Sequence, residues 1–119
     1  MNTIYENTVK GKGELASAFL EEKTIILFGD SAPDTLKDYC YTIDVKDAAA
    51  KIEAGQTLEI NNAQFKIKLV GDVVQKNLEA LGHISIRFTG EDDCLPGTIV
   101  VEDSEVPVLD IGSVIRILA

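Results

Sequence analysis

The apolar pattern of this chain predicts an all-β fold: a small closed or partly closed antiparallel barrel with a few short helical turns. Three observations lead there. Apolar residues recur with period two along most of the sequence. Gly and Asn turn signals separate those runs at near-regular spacing. Stretches with helical spacing are few and short. At 119 residues the chain has the length for one ordinary core, so residues 1–119 are expected to form a single domain.

Eight runs carry the strand pattern: 3–11, 23–29, 38–45, 56–60, 63–71, 83–88, 97–102 and 112–118. In 63–71, Phe65, Ile67 and Leu69 share one face while Lys66 and Lys68 take the other. In 83–88, Ile84, Ile86 and Phe88 oppose His83, Ser85 and Arg87. Asn61-Asn62, lying between two runs, reads as a hairpin turn. Three stretches favour helix: 13–22 for a turn or two, 32–38 for one turn near Pro33, and 72–82 with Val74, Leu78 and Leu81 at helical spacing. Asp72 suits the N-cap of that last helix and Gly82 its C-terminal stop. The alanine-rich 46–55 reads as a helical turn or a surface loop.

Apolar residues make up 45% and charged residues 26% of the chain, a globular composition. A formal charge of −9 repels phosphate backbones, which argues against nucleic-acid binding. With no apolar run long enough for a bilayer and no signal-peptide pattern at the start, the expectation is a cytosolic protein that does not insert in the membrane. Cys40 and Cys94 are far apart, without a CxxC pair or a neighbouring histidine, so both are expected to be free thiols outside any metal site. Cys40 reads as a small strand residue. Cys94 lies among Glu91, Asp92 and Asp93, which should raise its pKa. That acidic run lacks the alternating oxygen ligands of a calcium loop and reads as a solvated turn, and the pair Asp44/Asp47 is equally bland.

The common nucleotide, hydrolase and metalloprotease motifs are absent. His83, the chain's one histidine, is the residue on which chemistry could rest. A histidine in a strand is ordinarily structural. Three features favour a reactive role: the adjacent Gly82 gives access and a backbone amide, Ser85 shares the strand face, and Arg87 farther along that face is a guanidinium able to clamp a phosphoryl group. The candidate catalytic residues are therefore His83 and Arg87.

The segments "APDTLKDYC" at 32–40, "VGDVVQKNLEALGHISIRF" at 70–88 and "LPGT" at 95–98 resemble the IIA component of the glucitol/sorbitol phosphotransferase system, whose patterns are AP-x-x-L-x-x-YC, VG-x-V-x-x-NL-x-x-LGH-x-x-x-RF and PGT. The resemblance runs nearly end to end. It implies a small cytosolic β-barrel that takes a phosphoryl group from the phosphocarrier protein onto a histidine and passes it to a cysteine of the sugar-specific IIB domain, with no metal or organic cofactor.

One departure matters. The resemblance puts the acceptor histidine a few residues after Tyr39-Cys40, where this chain reads Tyr41-Thr42-Ile43-Asp44-Val45. Two expectations follow. Either His83, matching the histidine of the LGH pattern, carries the phosphoryl group, or the chain is a transfer-incompetent paralogue that binds or regulates its partners.

Overall fold

A computed structural model describes residues 2–119. Among the described residues nine strands form a single sheet: β1 Thr3–Thr8, β2 Gly11–Lys12, β3 Thr24–Phe28, β4 Tyr41–Thr42, β5 Thr57–Ile60, β6 Ala63–Val70, β7 Ile84–Arg87, β8 Thr98–Val101 and β9 Val114–Leu118. Across the sheet they run in the order β1-β9-β5-β6-β8-β7-β3-β4-β2. No ladder joins the two end strands, yet β1 and β2 are successive pieces of one chain. Val9 donates its N–H to Ser113 and Lys10 donates to Thr42, so the segment that leaves β9 at one edge meets β4 at the other. The sheet is a partly closed barrel whose seam is covalent.

The all-β expectation holds, with a change in strand direction. Most pairs are antiparallel, but β3 with β4 and β7 with β8 are parallel. Those pairs need crossover connections. The segment 29–40, with helix α1 (Asp34–Lys37), makes one of them; the long 88–97 loop makes the other.

The strand expected over 38–45 shrinks to Tyr41–Thr42, because α1 and its following turn take up Asp38 to Cys40. Cys40 therefore lies outside the strand, its N–H bonded to the Lys37 carbonyl and its thiol donating to the Leu36 carbonyl at 3.1 Å. Residues 13–22 fold as turns that end in a short 3-10 segment, Leu20–Glu22. Helix α2, Val74–Leu81, forms as expected with Gly82 at φ 70° as its left-handed stop. Its N-cap position is Val73, with no side-chain cap, rather than Asp72. Segment 46–55 is a loop strapped to α2: Glu79 accepts the Ala48 N–H, and Gln75 accepts the Ile52 N–H while donating to the Ala50 carbonyl.

The core collects the period-two apolar positions. Ile25 and Leu27 of β3, Ile86 of β7 and Ile99 of β8 are all essentially inaccessible. Phe65 and Phe88 meet edge to face with centroids 5.0 Å apart.

Candidate functional site

His83 sits where α2 gives way to β7, and two glycines decide what surrounds it. Gly82 and Gly29 press together: a Cβ on Gly82 would lie 3.0 Å from the Gly29 nitrogen, and one on Gly29 would lie 2.6 Å from the Leu81 carbonyl oxygen. The Gly29 N–H donates to that carbonyl at 2.8 Å. Side chains at these positions would hold the end of β3 off the end of α2.

The same approach carries position 43 into the site. Ile43 donates its N–H to the Phe28 carbonyl, and its side chain lies 3.5 Å from where a Gly82 Cβ would stand. Ile43 is wholly buried. The segment in which the resemblance puts an acceptor histidine thus comes within one residue of His83, and it holds an aliphatic side chain.

The imidazole is half-buried and stacks on Phe28, with ring centroids 4.2 Å apart and planes tilted by 38°. Nδ1 is buried and completes no hydrogen bond within the described residues. Burial holds the His83 pKa below its ordinary value, while the nearby Leu27 backbone carbonyl pulls it partly back up. The balance favours the uncharged ring. Neither Phe28 nor Ile43 was singled out from sequence as a neighbour of His83. The alternation within 23–29 and 38–45 marks both as apolar, but only the parallel β3–β4 pairing sets them beside the imidazole.

Two expected features of the site take other places. The Gly82 amide donates to the Leu78 carbonyl at 2.9 Å to close α2, so it is not free for an oxyanion. Arg87 stands four residues along β7 from His83, about 13 Å at strand rise. Its Nη1 pairs with Glu91 at 3.3 Å. Parity does put the two on one strand face, but the structure does not bring them together.

Around the glycines the surface is apolar and acidic. Val45 and Leu81 flank Gly29 and are 46% and 41% exposed. Beyond them Lys10 bridges Asp30 and Asp44 at 2.7 Å each. Cys94 has a raised pKa, chiefly through burial and then through Asp72 and Asp93. Of the three acids expected beside it, Asp93 alone acts on it.

The architecture and the sequence have close counterparts. A crystal structure of a PTS system IIA component from Enterococcus faecalis V583 superposes with a TM-score of 0.84 at 30% identity, covering 97% of this chain and 100% of that one. The PTS system glucitol/sorbitol-specific EIIA components of Shigella flexneri and Escherichia coli (strain K12) are each 28% identical over 117 residues, spanning 98% of this chain and 95% of theirs. The family model of the PTS system glucitol/sorbitol-specific IIA component matches residues 4–116. With the fold and the sequence in agreement over nearly its whole length, this chain belongs to the glucitol/sorbitol-specific IIA family of the phosphotransferase system.

Proposed function

We propose that the chain works in the cytosol as the IIA component of a glucitol/sorbitol-type phosphotransferase system, with His83 relaying a phosphoryl group from the phosphocarrier protein to the IIB domain. The observation that carries this is the seating of Ile43 next to Gly82, 3.5 Å from where a Cβ there would stand. It sets the chain's one imidazole beside the segment where the family resemblance puts the acceptor, so a carrier docked over that segment reaches His83.

The environment suits a nucleophile. A neutral imidazole keeps a lone pair on one nitrogen, and burial shifts this ring toward that form. With Nδ1 enclosed, Nε2 is the nitrogen that meets the donor. Its lone pair forms the new N–P bond as the carrier's P–N bond breaks, and the electron pair of that bond leaves with the carrier's imidazole. The IIB thiolate then takes the phosphoryl group by forming a P–S bond, and the N–P bond returns its electrons to His83. Phe28 fixes the plane of the ring, which shortens the search for an in-line approach.

A second reading rests on Ile43 itself. An aliphatic, fully buried side chain at the acceptor segment accepts no phosphate, and the Arg87 guanidinium is too far along β7 to neutralise charge on His83. On this reading the chain docks on its partners and regulates them without transfer.

Incubation with phosphoenolpyruvate, enzyme I and the phosphocarrier protein decides between them. Relay gives an acid-labile, base-stable phosphate on the wild type and none on His83→Ala. An unlabelled wild type alongside a labelled carrier, with Ile43→His gaining label, establishes the docking reading.

A further inference from the structure

The outer wall of the barrel carries a second constellation, separate from His83. Thr24 of β3 pairs with Arg87 of β7, and Ser85 of β7 pairs with Thr98 of β8. These positions alternate with the core-facing isoleucines and so share the outer face of their strands, where Thr98 is covered by its neighbours to 4% exposure. They line a depression of about 330 Å³ walled by Phe19 from the 13–22 turns and Leu95 from the 88–97 loop, with Glu22 at the rim.

Arg87 is the unusual member. Its side chain is only 32% exposed, its one ion pair is Nη1 to Glu91 at 3.3 Å, and its Nε is buried with no partner among the described residues. A guanidinium has five N–H donors, and a half-buried cation is costly when its donors go unused. Ser85 and Thr98 add hydroxyls on the same face. The Thr24 hydroxyl is already given to the Glu22 carbonyl at 3.1 Å, so it forms wall rather than donor.

We propose that this depression binds a small phosphomonoester, its phosphoryl oxygens on Arg87, Ser85 and Thr98 and its carbon body between Phe19 and Leu95. Donors from two adjacent strands suit the three terminal oxygens of a phosphoryl group. Leu95 is 66% exposed, a large apolar side chain at the mouth that a ligand's carbon chain would cover. The Glu22 carboxylate repels a second anionic group but accepts a hydrogen bond from a hydroxyl. Together these features select a hydroxylated body bearing one phosphoryl group over inorganic phosphate.

The test is a titration of ¹⁵N-labelled protein with glycerol 3-phosphate, inorganic phosphate and glycerol in separate arms. Saturable shifts are expected at the Ser85, Arg87 and Thr98 amides with glycerol 3-phosphate, with a Kd on the order of 1 mM. Arg87→Gln should weaken binding about tenfold or more, and Ser85→Ala about threefold. Absence of saturable shifts there, or equal affinity for inorganic phosphate or glycerol, overturns the proposal. So does unchanged affinity in a folded Arg87→Gln protein. Should that variant fail to fold, unchanged affinity in Ser85→Ala overturns it instead.

Discussion

At the scale of single residues, His83 links stability to pH as well as bearing the proposed chemistry. Burial lowers its folded-state pKa below the ordinary 6.5 of a free imidazole. Between the folded and unfolded pKa values the unfolded chain binds more protons, so the contribution of His83 to stability is full above about 6.5 and is lost as pH falls through that window. His83→Gln should flatten the stability–pH curve over that interval, as read by urea midpoints at a series of pH values; a curve unchanged from wild type would show that His83 is not the group responsible. The thiols give a second prediction at this scale. Cys40 and Cys94 both have raised pKa values, chiefly through burial, which makes them poor nucleophiles. The Cys40→Ser/Cys94→Ser protein should keep whatever binding the wild type shows to the phosphocarrier protein, and any loss should be confined to packing at the buried Cys40. A well-folded double variant unable to bind the phosphocarrier protein would give the thiols a role they are not expected to have.

Turns and helix ends are the weak points among the elements. Gly82 combines φ 70° with contacts to Gly29 and Ile43. Gly82→Ala should cost about 2–4 kcal/mol, the sum of a left-handed alanine and crowding at the α2–β3 contact, measured by denaturant unfolding. The β5–β6 hairpin gives a contrast between neighbours. Asn61 and Asn62 both have positive φ, at 49° and 76°, as a type I′ turn requires. Asn61 also donates to the Ser113 hydroxyl and accepts the Val114 N–H, tying the turn to β9. Asn62→Gly should therefore be neutral or stabilising by about 0.5 kcal/mol. Asn61→Gly should destabilise by about 1–2 kcal/mol through its lost hydrogen bonds. Equal effects at the two positions would deny Asn61 its tie to β9.

For the molecule as a whole, the covalent seam is the distinctive feature. Val9 is fully buried and both donates to Ser113 and accepts from Gly112, while Lys10 bonds Thr42. A short Gly/Ser insertion between Val9 and Lys10 should let the two sheet edges part. Hydrogen exchange would then quicken in β1, β2 and β4, with β6, β7 and β8 still protected. Uniform loss of protection would mean that the barrel opens as one unit. The net charge of −9 acts at this scale too, keeping the molecules apart in solution.

The sequence by itself determined the all-β class, the α2 helix with its glycine stop, the Asn-Asn hairpin and the membership that its LGH and PGT segments announce. Each of these is a local signal: periodicity, turn chemistry or a contiguous motif. The tertiary structure decided the parallel pairing of β3 with β4, the stacking of Phe28 on His83 and the seating of Ile43 against Gly82. It also carried Arg87 away from the imidazole into a separate depression with Ser85 and Thr98. Strand parity reports which face a side chain occupies but not what lies across that face. That depends on pairing between segments far apart in the chain, and periodicity holds no record of it.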